Sequence, residues 1–291
     1  MCSSDLALAS GVISDWLVVS RGDSTLRGHC PLEADLLAEE LGPFAATLLV
    51  PAFPEGGRTT RAAVHRLHGQ PVHETAFARD GLFPYDTSHL PSWLEARSGG
   101  RLRAERVGHL PLELLEAAST APAKDPLSSR ARLRQRLREL VGQGWAVVDA
   151  ERPEHLLALG QALRQLQAAG GPRFLFQSAA SLLNGLADLP PQPLGPAQLA
   201  ALRRGDADGR PMPGLVLVGS HVPLADAQLE RLLAEPGCGG VEIPAARVQR
   251  VLEGPLPDRL LASLEQEWLA ALEQRLAAGL TPVLYTNRGE V

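Results

Sequence analysis

Short apolar runs alternate with longer amphipathic stretches along the chain, and this alternation restricts the possible folds more than any other feature. The segments WAVVDAERPEHLLALGQALRQL (145–166) and FLFQSAASLLNGLA (174–187) each begin with an apolar run and continue with a helical pattern. Strands that alternate with helices indicate βα units and a parallel sheet. The sequence therefore predicts an α/β fold with a doubly wound, mostly parallel sheet. Further strands are predicted at 16–19, 47–50, 215–218, 241–244 and 282–285.

A shift in composition predicts where the chain divides. Residues 188–213 are rich in Pro, Gly and charged side chains, as linkers are. We therefore expect a first α/β domain at 1–187, a linker at 188–213 and the beginning of a second α/β domain at 214–291. Because little chain precedes strand 16–19 and the chain stops after strand 282–285, both domains are expected to be incomplete. Residues 1–6 include CSSDL, which resembles a translated sequencing adapter, and are expected not to be native.

Composition excludes several classes of protein. A net charge of -5 and an aromatic content of 4% argue against a nucleic-acid-binding protein. The sequence contains no apolar stretch of about 18 residues, so no membrane span is predicted. Three scattered cysteines predict free thiols in a reducing compartment, and the expected location is cytoplasmic.

The segment DSTLRG (23–28) is the first candidate site, because it follows an apolar strand directly. Ligands of open α/β sheets bind beyond the carboxyl ends of the strands. Asp23 can accept hydrogen bonds from sugar hydroxyls, Arg27 offers a planar fork of donors to an anion, and Ser24 adds a hydroxyl. The segment is thus a candidate polyol or anion site. The alternative is an Asp–Arg pair that only stabilises a strand-to-helix turn.

The segment PAFPEGGRTT (51–60) is the second candidate, and it also follows a strand. Gly57 allows a close approach of the backbone to a ligand, while Arg58 and Thr59 have the composition of an anion site. The alternative is an ordinary Gly-rich turn. We expect Asp23, Arg27 and Arg58 to line one cleft at the carboxyl ends of neighbouring strands.

Other polar positions carry weaker signals. Residues 63–74 form a hairpin candidate whose histidines are not spaced as metal ligands, and no metal site is predicted. Asp149, at the end of a strand, either faces the site or caps the following helix. Ser220, which follows strand 215–218, is a weak candidate for phosphate binding, and the absence of a nucleophile elbow argues against a hydrolase.

These segments together resemble the four-carbon acid sugar kinases. The matching motifs are D-S-T-L-R-G, P-A-F-P-x-x-G-R-T-T, a segment like VHETAFARDGLFP (72–84), and SHLP (88–91), in the same order and spacing. The resemblance implies an N-terminal domain that binds a threonate, erythronate or 3-oxo-tetronate, and a C-terminal domain that binds ATP with Mg²⁺. It also implies phosphoryl transfer in the cleft between them.

The resemblance assigns a role to each candidate residue. Arg27 and Arg58 would hold the substrate carboxylate, and Asp23 and Ser24 its hydroxyls. Gly57 and Thr59 would complete the sugar-acid site, and Ser220 would contact ATP.

The chain also departs from the family pattern. Arg21 replaces a lysine, QSAAS (177–181) replaces G-S-A-G, and the opening A-D-D-[LF]-T-G-A motif is absent. A later nucleotide loop of the family would lie beyond Val291. We therefore expect a sugar-acid kinase that is inactive as this chain alone; the alternative is a non-catalytic sugar-acid-binding module. The expected partners are a small sugar acid and ATP, without nucleic acid or membrane, and a homo-oligomer is compatible with the sequence.

Overall fold

The computed structural model describes residues 16–121, 129–142, 144–189, 194–205, 208–209 and 212–287. The chain divides into two compact units, Met1–Gln192 and Pro193–Val291. The expected non-native residues 1–6 lie outside the described ranges. No helix in these ranges combines the length and the apolar character that a membrane crossing requires.

The main sheet of unit 1 is parallel throughout. Within the described ranges it contains five strands in the order β1-β8-β2-β7-β6. The central strands β2, β7 and β8 are almost continuously apolar, as expected for strands that are covered on both faces. These strands are β1 (Val18–Arg21), β2 (Ala46–Val50), β6 (Gly108–Leu110), β7 (Gly144–Val148) and β8 (Phe174–Ser178).

Helices cover both faces of this sheet. Consecutive residues of β2 pack on opposite faces of the sheet, in two different apolar clusters. Leu48 packs in a cluster with residues of α3 to α6, and Leu49 packs in a cluster with residues of α1 and α2. The predicted doubly wound α/β fold is therefore confirmed. The helices are α1 (Leu32–Leu41), α2 (Leu90–Arg97), α3 (Leu112–Thr120), α4 (Ser129–Glu139), α5 (Pro153–Ala168) and α6 (Ser181–Ala187).

A small antiparallel sheet is joined to the end of β7. It comprises β3 (Arg58–Arg61), β4 (Val64–Leu67) and β5 (Gln70–Pro71), and Thr60 exchanges two backbone hydrogen bonds of 2.9 Å with Ala150. The hairpin predicted within 63–74 is present. Residues 58–60, however, were expected in a loop and instead form a strand, because they pair with β4.

Unit 2 contains a second parallel sheet. Three strands in its described part take the order β10-β11-β9. The predicted linker 188–213 is not entirely irregular, since it contains a short helix, α7 (Pro196–Ala201). The other elements of this unit are β9 (Val216–Val218), α8 (Pro223–Leu233), β10 (Cys238–Ile243), α9 (Ala245–Leu252), α10 (Pro257–Ala277) and β11 (Thr281–Thr286).

Candidate functional site

The carboxyl ends of β1, β8 and β2 lie level with one another. Ser178 of β8 is in register with Arg21 of β1 on one side and with Val50 of β2 on the other. The loops that follow β1 and β2 therefore leave the same edge of the sheet. We had expected these two strands to be neighbours, and this is wrong: β8, which comes much later in the chain, lies between them.

The loop after β1 is organised around Asp23. Its Oδ2 accepts a hydrogen bond of 2.7 Å from Arg27 Nε and another from the Thr25 hydroxyl. Burial alone would raise the pKa of Asp23, but these two donors outweigh burial and hold the pKa below its usual value. Asp23 is therefore an ionised acceptor at neutral pH.

Arg27 is held from three sides. Besides Asp23, its Nη1 lies 3.5 Å from Asp80 Oδ2, and its guanidinium carbon lies 5.1 Å from the centre of the Phe77 ring. The Tyr85 hydroxyl donates a 2.7 Å hydrogen bond to the Thr25 carbonyl oxygen and fixes the same loop. The Asp–Arg pair that we considered as a turn stabiliser thus exists, and it also presents a cation at the carboxyl edge of the sheet.

The segment after β2 presents Arg58 at the first position of β3. Its Nη1 donates a 2.7 Å hydrogen bond to the Gly56 carbonyl oxygen, and its guanidinium carbon lies 5.7 Å from the Phe53 ring centre. Gly57 has a φ of +73°, and a Cβ there would lie 2.3 Å from the His68 ring, so the turn requires glycine.

Arg58 and Thr59 lie on opposite faces of β3, because side chains alternate along a strand. The face of Arg58 is shared by Thr60, which is fully buried. The sequence placed all these residues in one loop and did not distinguish the two faces. The role of Thr59 in a sugar-acid site stays a prediction.

His65 joins the two candidate segments, a role that its place among the histidines of the hairpin candidate does not predict. The ring is fully buried; its Nε2 lies 2.8 Å from the Ser24 carbonyl oxygen and its Nδ1 lies 2.9 Å from Thr60 Oγ1. A carbonyl oxygen can only accept, so Nε2 carries the hydrogen and Nδ1 accepts from the threonine hydroxyl. His65 is thus a neutral bridge between the loop after β1 and the small sheet.

Burial lowers the pKa of His65 to about 4. The hydrogen bond to the Ser24 carbonyl acts in the opposite direction, the positive charge of Arg58 lowers the pKa further, and the negative charge of Asp23 raises it. Both candidate segments therefore act electrostatically on the same ring. Because hairpin register decides which strand residues share a face, this arrangement could not be derived from residue types alone.

A small cavity of about 20 Å³ lies at this edge of the sheet. Of the three residues expected to line one cleft, Asp23 and Arg27 line this cavity and Arg58 does not. Trp93 and Gln177, which the residue pattern did not single out, also line it. The Cys30 thiol also lines it, and burial raises the pKa of that thiol to about 12, so Cys30 is not a thiolate nucleophile at neutral pH.

Asp149 is a structural acceptor, and neither role considered for it is observed. Its carboxylate accepts backbone N–H groups from Ala62 at 2.8 Å, from Ala63 at 2.9 Å and from Leu112 at 3.2 Å. It therefore ties the β3–β4 turn and the start of α3 to the end of β7, whereas α5, the following helix, starts after Arg152.

In unit 2, Ser220 follows β9 at the carboxyl edge of the second sheet. Next to it, His221 Nε2 lies 2.9 Å from Thr286 Oγ1 at the end of β11, so the loops after these two strands meet. Among the residues that the structure describes, no group of three or more His, Cys, Asp or Glu side chains is placed to hold a metal ion.

Residues 5–186 match the family model described as the sugar-binding N-terminal domain, which is more than half of the chain. The 3-oxo-tetronate kinase of Brucella melitensis is 26% identical over 269 residues, which cover 87% of this chain and 55% of the relative. The D-threonate kinase of Bordetella bronchiseptica is 37% identical over 99 residues, 34% of this chain and 24% of the relative. The chain thus spans about half the length of the first of these relatives.

A solved structure of a protein from Salmonella typhimurium LT2 aligns with a TM-score of 0.58 and 22% identity, covering 97% of this chain and 60% of that protein. At this identity the likeness shows the fold alone. The family match extends over both candidate segments and agrees with the motifs quoted above, so the resemblance to four-carbon acid sugar kinases is confirmed. This chain belongs to the sugar-binding N-terminal domain family.

Proposed function

We propose that this chain carries the sugar-acid site, and part of the nucleotide-binding unit, of a kinase that transfers a phosphoryl group from ATP to a four-carbon sugar acid. The observation that carries the proposal is the bridge through His65. His65 hydrogen-bonds to the backbone of Ser24, the neighbour of the ionised Asp23, and also to Thr60 of β3. The strand β3 begins at Arg58, so the two candidate segments share one hydrogen-bonded network. The kinase names of the relatives supply the reaction class.

The proposed roles follow from the charges at the site. A tetronate presents one carboxylate and several hydroxyls. Arg27 uses Nε and Nη1 in its bonds to Asp23 and Asp80, so its Nη2 can donate to the substrate carboxylate. Arg58, on β3, would donate to the same carboxylate. Asp23, kept ionised, would accept from a substrate hydroxyl, with Ser24, Gly57 and Thr59 as further contacts. Such a site would hold the acceptor in a fixed orientation, which phosphoryl transfer requires above all.

ATP would be bound by unit 2 with Ser220 as one contact, since Ser220 follows β9 at a carboxyl sheet edge. The described residues do not form a magnesium site of their own, and we derive no step through the metal. Mg²⁺ would arrive with the phosphates of ATP, which commonly supply part of its coordination. ATP as the phosphoryl donor favours a cytoplasmic location.

The alternative is a sugar-acid-binding module without kinase activity. It is favoured by the fact that all six residues predicted to bind the sugar acid lie within Met1–Gln192. Both functions predict binding of the acid, and only a kinase with its whole nucleotide-binding unit would also release ADP.

The test combines titration calorimetry with an ADP-release assay on the 291-residue chain, using threonate, erythronate and their 3-oxo forms. We expect one of these acids to bind. Because the chain spans about half of the first kinase relative, we expect no turnover at ordinary kinase rates of about 1–100 per second. A chain that binds none of the acids would refute the proposed function, and rapid ADP release would refute the binding module.

A further inference from the structure

Two buried side chains at the cavity beside Asp23 each have a polar atom without a protein partner. Trp93 is 2% exposed and Gln177 is 6% exposed, and both line the cavity. Within the described part of the chain, neither Trp93 Nε1 nor Gln177 Oε1 has a hydrogen-bond partner. A buried polar atom without a partner is costly, so such a pair at one cavity indicates a bound group.

The chemistry of these two atoms limits what that group is. The indole Nε1–H can only donate, and an amide oxygen can only accept. A hydroxyl can accept from the first and donate to the second, whereas an ionised carboxylate has no hydrogen to donate and an ammonium cannot accept. The cavity of about 20 Å³ has room for one group the size of a water molecule.

We propose that Trp93 and Gln177 form a subsite for one hydroxyl of the sugar acid. The inference rests on the proposed function and extends it, because it adds two specificity-determining residues. Asp23 and Arg27 line the same cavity, so the hydroxyl is bound next to the groups that bind the rest of the acid.

The position of both residues in the fold supports the subsite. Gln177 lies on β8, between β1 and β2, and Trp93 lies on α2 within the apolar cluster that covers one face of the sheet. A Cβ on Gly22 would lie 2.4 Å from Gln177 Nε2, so the glycine at the start of the loop leaves room for the amide. The subsite is thus built on rigid elements.

The experiment measures dissociation constants by calorimetry for the wild type, Trp93→Phe and Gln177→Met. The ligands are the best-binding tetronate and its monodeoxy analogues, in each of which one hydroxyl is replaced by hydrogen. Trp93→Phe keeps an aromatic ring and removes the N–H, and Gln177→Met keeps the side-chain length and removes the amide. The matched control is Trp145→Phe, because Trp145 belongs to the same apolar cluster but does not line the cavity.

We expect each variant to weaken tetronate binding about threefold to tenfold, the loss of one hydrogen bond. One monodeoxy analogue lacks the bound hydroxyl, and we expect both variants to bind this analogue as tightly as the wild type does. We expect Trp145→Phe to bind every ligand as the wild type does. If both variants weaken binding of every ligand in the set equally, the cavity holds a water and the subsite is refuted; unchanged affinities also refute it.

The outcome is separable from that of the proposed function. If the wild type binds a tetronate and the variants do not discriminate between the analogues, the subsite alone fails. If the wild type binds no tetronate, the proposed function fails and the subsite with it. Thermal melting shows whether Trp93→Phe folds, and if it does not, Gln177→Met, with its smaller change in the core, decides.

Discussion

At the scale of single residues, His65 gives the fold a specific dependence on pH. The ring takes up a proton near pH 6.5 in the unfolded chain but only near pH 4 when it is buried. Between these values the unfolded state binds the additional proton, so the stability that His65 contributes is fully present above pH 6.5 and is lost as the pH falls towards 4. The loss amounts to about 3 kcal/mol.

We therefore expect the free energy of unfolding of the wild type to fall more steeply between pH 6.5 and pH 4 than that of His65→Gln. Glutamine does not titrate and retains an N–H donor for the Ser24 carbonyl. Urea unfolding at several pH values, followed by tryptophan fluorescence, measures the difference. Parallel pH profiles for the two proteins would show that His65 is not the group responsible.

Arg58 is the second residue with a direct test. Arg58→Lys keeps the charge but loses the planar fork, and a charged hydrogen bond is worth about 1.5–3 kcal/mol. We expect tetronate affinity to fall by roughly tenfold to more than a hundredfold. The matched control is Arg61→Lys on the same strand, because Arg61 is exposed and lies at the opposite end of β3. Equal affinities for wild type and Arg58→Lys would exclude the carboxylate contact.

The sequence identified the candidate residues of this site, but not the contacts that hold them in place. Asp23, Arg27 and Arg58 could be selected because they follow apolar strands, and their roles stay predictions. His65, Trp93 and Gln177 could not be selected, because their importance depends on hairpin register and on which strand lies between β1 and β2. Residue types in sequence do not determine either of these.

At the scale of elements, Asp149 holds the small sheet against the main one. Ala62 and Ala63 have φ values of 50° and 57°, a conformation that alanine adopts only at a cost, and Asp149 accepts both of their N–H groups. Asp149→Asn replaces one of the two accepting oxygens by a donor. We expect a loss of at least about 2 kcal/mol in unfolding free energy, whereas Asp86→Asn at an exposed position changes it little. Equal stabilities of the two variants would contradict this role.

The contact of α5 with α6 depends on two glycines. A Cβ on Gly160 would lie 2.0 Å from the Gly185 carbonyl oxygen, and backbone cannot move aside as a side chain can. Although alanine is the better helix former, we expect Gly160→Ala to destabilise unit 1 by about 1–3 kcal/mol. Gly81→Ala is the control, because a Cβ there meets no atom within 4 Å. A more stable Gly160→Ala protein would show that the helices can separate at no cost.

Strands with a continuous apolar run could be predicted from the sequence, and elements without a clear pattern could not. The predicted strand 47–50 differs from β2 by one residue, and the predicted strand 215–218 differs from β9 by one. The strand β6 and the short helix α7 were missed because neither shows a continuous apolar run, whereas β9, which is as short as β6, is apolar throughout and was predicted. The strand predicted at 16–19 begins two residues before β1, since apolar character extends beyond the paired residues.

At the scale of the whole molecule, the first sheet brings two segments that are distant in sequence to one edge. Two segments that are about 30 residues apart in sequence, 22–30 and 53–60, would form a single sugar-acid site at the carboxyl edge of the first sheet. The alternation of strands and helices predicted this edge of the sheet. The strand order could not be predicted, because β8, which begins about 150 residues after the end of β1, lies between β1 and β2.

Hydrogen–deuterium exchange of the 291-residue chain tests this claim most directly. The rates are compared with and without a saturating tetronate, with acetate as the control carboxylate. We expect slower exchange in both 22–30 and 53–60 on addition of the tetronate, and no change in either with acetate. Protection of one segment without the other, or equal protection by acetate, would contradict a single sugar-acid site.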